Sequence, residues 1–327
     1  MKRSGFALVA VLALFLLGGC QQPLPALPAI PEPMEVLVVA ADLTPEEKAV
    51  WDRLMKELGS RRGKPLQAEW VPLGTEGADA AVESAVPDET FGPGNLEAIP
   101  LDDNPYLLFY RGRLEGVLPS TFEDIPGLSK RLLALPGWDP AFLPALAVPS
   151  PPVDLLLAVA FQGEGDVGQA AAALKAWAAA GDIVLRPHPE DDLAQGKVLL
   201  AFLPFSEGAP IPGVKARAFP AVPHRYRYLK PLRPPGPEDP LKDLLDFWRD
   251  PEVQAYWAWQ VGRIPPDPKA FATDVWRTYE EAHPVAAAGR EAALRALTLA
   301  PRDEAFLREE ARRLLSPGEP VSPPTRR

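Results

Sequence analysis

The sequence contains few of the residues on which most catalytic and metal-binding sites are built. Its 327 residues include one cysteine and three histidines. A single thiol cannot form a disulfide within the chain, and it cannot supply a cysteine-rich metal site. His188, His224 and His283 are isolated, and each is adjacent to a proline. This setting favours surface-loop histidines over metal ligands.

The sequence also lacks the motifs of common enzyme classes. It has no Gly-x-Ser-x-Gly elbow, no glycine-rich phosphate loop and no His-Glu-x-x-His pair. Its acidic runs, Asp102-Asp103 and Glu190–Asp192, lack the spacing of a calcium-binding loop and are expected to be solvated. We therefore expect a protein that is not an enzyme and that uses neither a metal nor a cofactor.

Basic charge and asparagine are also scarce. With 34 basic against 44 acidic residues, the formal net charge is -10, which argues against a nucleic-acid partner. Asn95 and Asn104 are the only asparagines, whereas 42 prolines are spread along the chain. Few thermolabile amides and many loop prolines predict a thermophilic source.

The amino terminus predicts export and a lipid anchor. Two basic residues precede an apolar run that ends before Leu17-Gly-Gly-Cys20, the pattern of a lipobox. We expect residues 1–19 to be a signal peptide, Cys20 to be lipidated and residues 20–34 to be a proline-rich tether. The protein would then be held at a membrane of the cell envelope, facing the periplasm or the exterior. The alternative is an ordinary secretory signal with a chance cysteine.

The region after the tether predicts a parallel α/β lobe. Glu35–Ala41 is a continuous apolar strand, and Leu66–Leu73 is the next strand. Between them, Thr44 with Glu47 three residues later predicts a helix that begins with a capping box, and Gly59 is expected to end it. A strand–helix–strand order is typical of a parallel sheet covered by helices.

Three motifs follow one another in the centre of the chain. A short strand ends in Ile99-Pro100, and the aromatic and aliphatic run Tyr106–Tyr110 predicts a buried strand. The segment Pro119–Pro126 then begins a helix with Thr121 as the expected N-cap. This order resembles the central block of the extracellular solute-binding proteins of ABC transporters, in the branch typified by maltose-binding protein.

Two later segments extend the resemblance. Ala218–Pro223 is similar to the strand that returns to the first lobe in that family. Phe247–Pro265 resembles the family pattern Phe-Leu-x-Ser-Pro-Glu-x-Gln-x-x-Trp-x-x-x-x-Gly-x-Ile-Pro, and it is the most specific match in the chain.

The resemblance implies an α/β, two-lobed periplasmic-binding-protein-like fold with a hinge between the lobes. Residues 35–100 and 221–327 would form a discontinuous first lobe, and residues 101–220 would form the second. The crossing strands that end at Ile99-Pro100 and Val222-Pro223 are expected to lie side by side at the hinge.

The resemblance also implies where a solute would bind. Candidate ligand-binding residues in and near the cleft are Asp103, Asn104, Phe205, Ser206, Glu207 and Trp276. Trp276 lies where the family carries a stacking aromatic ring, although its helical spacing is equally consistent with a core residue. Other aromatic residues that the family uses are absent, since Ser206 and Pro152 stand near their places.

The function that follows is capture of a small solute, most simply a sugar or oligosaccharide, for an ABC-type importer. The expected partners are that solute, a membrane permease and the membrane itself through the anchor. The alternative is a solute-binding-like lipoprotein that no longer binds and acts as an interaction or scaffold protein. An open crevice lined by Asn104 and Trp276 would favour transport, and a filled crevice would favour the alternative.

Overall fold

The computed structural model describes residues 34–84, 98–142, 145–162, 166–220, 222, 224–296 and 301–315. The chain divides into two compact units, Met1–Met34 and Glu35–Arg327, and all the elements below belong to the second. The predicted signal peptide, the lipidation site Cys20 and the tether up to residue 33 lie outside the described residues.

Within the described residues, ten strands form two five-stranded sheets. The first sheet has the order β2-β1-β3-β10-β4, and the second has the order β7-β6-β8-β5-β9. The strands are β1 (Glu35–Ala41), β2 (Leu66–Val71), β3 (Ala80–Glu83), β4 (Ile99–Asp102), β5 (Tyr106–Tyr110), β6 (Leu146–Pro149), β7 (Ile183–Arg186), β8 (Leu200–Pro204), β9 (Lys215–Ala218) and β10 (Arg227–Pro231).

Eleven α-helices are present in the described residues, together with three short 3-10 turns at Phe122–Asp124, Pro140–Phe142 and Pro268–Ala272. The helices are α1 (Pro45–Arg62), α2 (Leu128–Leu133), α3 (Val153–Gln162), α4 (Val167–Ala179), α5 (Pro189–Ala194), α6 (Phe205–Gly208), α7 (Pro240–Trp248), α8 (Pro251–Gln260), α9 (Asp274–Ala282), α10 (Val285–Arg295) and α11 (Pro301–Leu315).

The first sheet is built around the strand–helix–strand unit that the sequence predicts. β1 pairs in parallel with both β2 and β3. Helix α1 begins with the predicted capping box, because Thr44 Oγ1 accepts from the Glu47 amide at 3.2 Å and Glu47 accepts from the Thr44 amide at 2.9 Å. The core of this lobe contains Trp51, Trp248 and Trp257, all fully buried. Helices α1, α7 and α8 are thus fixed to one sheet.

The second sheet is covered on both faces. Tyr106, Leu108 and Tyr110 of β5 contribute to one core, whereas Leu107 and Phe109 contribute to the other. This alternation follows from the two-residue period of a strand. A run of five buried residues without a polar position is therefore the expected signature of a strand with helices on each side.

The returning strand differs from its prediction. Lys215–Ala218 ends as the edge strand β9 of the second sheet, paired with β5. The strand that pairs with Ile99 and Pro100 is β10, through Leu229 and Tyr228, and not Val222-Pro223. Val222 is buried in the core of the second lobe, and Pro223 lies outside the described residues. The return to the first sheet is therefore completed several residues later than predicted.

The last helices also differ from the predicted division into lobes. Residues 221–327 were assigned to the first lobe, but α10 packs on β9 and β5, and α11 packs on α3 and α4. Their apolar faces belong to the two cores of the second sheet, through Ala286 and Ala292 on α10 and Ala311 on α11. The chain therefore passes between the sheets a third time, after α8.

Candidate functional site

The three segments that connect the two sheets meet at Asp103. Its amide donates to the Ile264 carbonyl at 2.7 Å, and the Ile264 amide donates back at 3.0 Å. Its carboxylate accepts from the Arg225 amide at 2.8 Å, and the ring Nδ1 of His224 lies 2.6 Å from the other carboxylate oxygen. The segments between β4 and β5, between β9 and β10, and after α8 are therefore joined at one residue.

This arrangement changes the role expected of Asp103. The sequence predicts a solvated acidic loop at Asp102-Asp103, but both side chains are fully buried. Both oxygens of Asp103 already have a partner, as a buried carboxylate requires. In this structure Asp103 joins the connecting segments and presents no free oxygen to a solute.

Asp102 is buried in a second network beside the junction. Arg227 donates to both of its oxygens, with the shortest contact at 2.6 Å, and the indole of Trp257 donates at 2.7 Å. Arg227 also donates to Glu47 at 2.5 Å. Burial alone would lower the pKa of Arg227, but the charges of Asp102 and Glu47 outweigh it and raise that pKa above its usual value. The pairing anchors the start of α1 to β4 and β10.

Asn104 and Ser206, two of the candidate site residues, are hydrogen-bonded to each other. The Asn104 amide nitrogen donates to Ser206 Oγ at 3.0 Å, and the Ser206 backbone amide donates to Asn104 Oδ1 at 2.9 Å. Asn104 is only 5% exposed, whereas Ser206 is half-buried. This reciprocal pair fixes the end of β8 to the segment that leads into β5.

Phe205 and Trp276 are placed in the core. Both are fully buried, and they belong to one cluster with Ile264 and Tyr279. The Trp276 ring packs 5.6 Å from the Phe271 ring and 5.0 Å from the Tyr279 ring. It therefore presents no face to a solute in this structure. Helical spacing alone could not distinguish a ring buried in the core from a ring that stacks on a solute.

Glu207 is the predicted site residue that remains exposed. Partial burial raises the pKa of the Glu207 carboxyl group most, and the negative charge of Glu190 raises it further. The positive charges of Arg225 and Arg263 oppose this shift. These two arginines are site residues that the sequence analysis missed. In the sequence, only their positions next to the connecting segments could have indicated them, because arginine occurs throughout this chain.

Arg225 and Arg263 extend from two different connecting segments. Arg225 stacks on Tyr106, with its guanidinium carbon 5.3 Å from the ring centroid and Nη1 3.4 Å from the hydroxyl. The Nε of Arg263 lies 3.7 Å from Asp102, and 22% of the Arg263 side chain is exposed. Burial lowers the pKa of Arg263, Asp102 partly opposes this, and Arg227 adds to it. Within the described residues, Arg263 therefore pairs with Asp102, and neither Arg225 nor Arg263 forms an ion pair with Glu207.

A further network links the junction to the carboxyl-terminal helix. Asp154, near the start of α3, accepts from Arg308 of α11 at 2.8 Å. Burial would raise the pKa of Asp154, but the charges of Arg225 and Arg308 lower it. Asp154 is thus ionised and fixes α11 to the end of the second sheet nearest the junction.

Two sheets joined by three connecting segments, with polar groups at their meeting point, define the two-lobed fold of the periplasmic binding proteins. The α/β, two-lobed fold predicted from the sequence is confirmed. Solved structures that share it include sugar-binding proteins and the substrate-binding protein of an ABC transporter. Within the described residues, no helix has the length and apolar character needed to cross a membrane.

Three of these solved structures illustrate the similarity. The GacH receptor of Streptomyces glaucescens, solved unliganded and with acarbose, is 13% identical, with a TM-score of 0.63 over 87% of this chain and 94% of that chain. The cyclic alpha-maltosyl-1,6-maltose binding protein of Arthrobacter globiformis is 12% identical, with a TM-score of 0.65 over 86% and 94%. UgpB of Mycobacterium tuberculosis, in complex with glycerophosphocholine, is 14% identical, with a TM-score of 0.61 over 85% and 95%. Neither a protein-family model nor a curated protein matches the sequence.

Proposed function

We propose that this protein is the solute-binding component of an ABC-type importer and captures a small polar solute between its two lobes. The observation that carries the proposal is the junction at Asp103, where three segments connect two separately packed sheets. Glu207, Arg225 and Arg263 surround that junction without close ion pairs to one another. A hinge needs few, well-defined connections, and a site needs side chains with free hydrogen-bonding capacity.

Sugars and oligosaccharides are the first solutes to test. The sequence resemblance implies them, and two of the solved structures with this fold are described with acarbose or a cyclic maltose derivative. A solute that binds the folded chain raises its unfolding midpoint by mass action. We expect such a shift for at least one member of a panel of sugars, oligosaccharides and amino acids. The absence of a shift with every solute would contradict the proposal.

We also propose that the protein is exported and anchored through a lipidated Cys20, facing the periplasm or the exterior. The support is the lipobox-like Leu17-Gly-Gly-Cys20 and the proline-rich segment after it. Cys20→Ser should abolish lipid labelling and leave the signal unprocessed at this site. Cleaved mutant protein that still partitions into detergent would contradict lipidation at Cys20.

A second candidate function is an interaction or scaffold lipoprotein that has lost solute binding. The buried Trp276 favours it, because the ring fills a core where the family uses a stacking aromatic. The close packing of Gly289 against Phe205 and Ile264 favours it too, since this contact joins α10 to the connecting segments. The solute panel separates the two candidates, because only the first predicts a midpoint shift.

A further inference from the structure

The second sheet has one edge, at β9, that no other strand of the described residues covers. β9 pairs only with β5 in that part of the chain. On the other side of β5, the Arg111 amide donates to the Leu199 carbonyl at 2.9 Å, in register with the β5–β8 pairs. Backbone groups point to alternate sides along an antiparallel strand, so those of Leu108 and Tyr110 point toward β9.

This alternation fixes which backbone groups of β9 face outward. Arg217 and Lys215 lie opposite Leu108 and Tyr110, so their N–H and C=O groups are directed at β5. The N–H and C=O of Ala216, which lies between them, therefore point to the open edge. Unpaired backbone groups on a sheet edge are a template for an additional strand.

The open edge borders a groove between β9 and α10. The groove has a volume of about 640 Å³, and Ala216 and Arg217 line its β9 side. Small and apolar residues line much of its α10 side: Pro284, Ala287, Ala288 and Leu294. Leu294 is 55% exposed, so an apolar side chain is available for contact. A free strand edge beside an apolar helix face is the setting in which an extended peptide binds by strand addition.

The other charged residues of the groove are already paired. Arg290 pairs with Glu280 at 2.8 Å, and Arg295 pairs with Glu291 at 2.8 Å. These four charges balance one another, and they add no net charge to the groove. Its charge preference therefore depends on Arg217.

Arg217 is bonded only to neutral oxygens within the described residues. Its guanidinium donates to the Leu118 carbonyl at 3.2 Å, to the Glu115 carbonyl at 3.3 Å and to the Ser120 hydroxyl at 3.4 Å. No described carboxylate lies within 4.0 Å of it. An acidic side chain placed opposite Arg217 on an added strand would supply the missing charge.

The two-residue period of a strand predicts the sequence pattern of the added segment. The side chain of Ala216 packs on the core that contains α10, so the residue opposite it would face Leu294 and should be apolar. Residues opposite Arg217 and Lys215 would lie on the other face and should be acidic. A second copy of β9 would instead place like charges against these two cations, which disfavours self-pairing.

We propose that the groove between β9 and α10 binds an extended acidic segment of a partner protein, which adds a further strand to the second sheet. Its backbone bonds to Ala216, an apolar side chain packs on Leu294, and an acidic side chain pairs with Arg217. The surface is separate from the junction at Asp103, so the proposal does not depend on solute capture.

The test is fluorescence anisotropy of labelled peptides titrated with the full-length chain. The probes are three peptides in which glutamate alternates with valine, threonine or leucine. Each has two counterparts, one with lysine for glutamate and one with proline at the central position, which cannot donate to the Ala216 carbonyl. We expect at least one glutamate peptide to bind at least tenfold more tightly than both of its counterparts. If no glutamate peptide binds, or if the counterparts bind equally well, the inference is overturned, whatever the solute panel shows.

Matched variants assign the binding to the groove. Ala216→Pro removes the outward N–H without removing a hydrogen bond to β5, as an edge strand tolerates, and it should weaken the glutamate peptide at least tenfold. Arg217→Gln and Leu294→Asp should weaken it too. Leu133→Asp and Arg277→Gln are the controls, since Leu133 is 48% exposed on α2 and Arg277 is exposed on α9. Unfolding midpoints confirm that each variant is folded. Unchanged affinity in the groove variants, or an equal loss in the controls, would overturn the inference.

Discussion

Asp103 and Ile264 exchange two backbone hydrogen bonds, of 2.7 and 3.0 Å, although they are far apart in the sequence. Together with the contacts from the Asp103 carboxylate to His224 and Arg225, this pair joins the three connections between the lobes.

Asp103→Ala should destabilise the protein by about 1–3 kcal/mol, because the part-buried amide of Arg225 loses its acceptor. The measurement is the free energy of unfolding from chemical denaturation. Asp246→Ala is the control, since this exposed carboxylate pairs with Arg249 on the surface, and its effect should stay within about 0.5 kcal/mol. Equal losses in the free energy of unfolding for the two variants would mean that the Asp103 carboxylate does not stabilise the junction.

Gly289→Ala should also destabilise the protein. A helical Gly→Ala change normally adds up to about 1 kcal/mol of stability. Here the added Cβ would lie 2.5 Å from Ile264 Cδ1 and 2.9 Å from the Phe205 ring, and both neighbours are fully buried. The expected net cost is about 1–3 kcal/mol by overpacking. Gly116→Ala, with no atom within 4 Å of the new Cβ, should be close to neutral. A stabilised Gly289→Ala variant would show that α10 is not packed against the junction.

Trp276→Ala should lower the unfolding midpoint in the absence of any solute. The ring is fully buried against Phe271 and Tyr279, so its removal should cost about 3–5 kcal/mol through the cavity it leaves. Arg277→Ala, an exposed neighbour on the same helix, is the control. A midpoint that stays unchanged while solute binding disappears would instead assign Trp276 to recognition.

The pairing of Arg233 with Asp239 should make stability depend on acid pH. Asp239 caps α7, and hydrogen bonds from Arg233 lower its pKa to about 2 from the model-compound value of 3.8. A lowered carboxyl pKa gives a stability contribution that is present above about pH 4 and is lost as the pH falls toward 2. Asp239→Asn should therefore flatten this part of the stability–pH curve. An unchanged acid slope in the variant would contradict the pairing.

Local signals predicted most of the elements. The capping box at Thr44 and the strand Tyr106–Tyr110 are both found as expected. The end of α1 is an instructive exception. Gly59 was expected to end the helix, but Gly63, with a φ of 72°, is the cap. Gly59 is glycine for another reason, because a Cβ there would lie 2.9 Å from the backbone nitrogen of Leu66.

The site was less predictable because its residues act through distant partners. Sequence reasoning named Asn104 and Ser206 as candidates, but their mutual hydrogen bonds depend on the register of β5 and β8. Asp103 looked solvated, since nothing nearby in sequence shows that Arg225 and Ile264 would bury it. Arg225 and Arg263 were missed for the same reason, and Trp276 was ambiguous because stacking and core rings share one helical spacing.

A solute that binds between the two lobes should draw them together. The most direct measurement is the distance between spin labels on Lys56→Cys of α1 and Lys175→Cys of α4, in a chain that also carries Cys20→Ser. Both positions are exposed, and each lies on a helix that covers a different sheet. With the solute that gives the largest rise in the unfolding midpoint, we expect a shorter and narrower distance distribution than in the absence of solute. A distribution that is identical with and without bound solute would contradict closure.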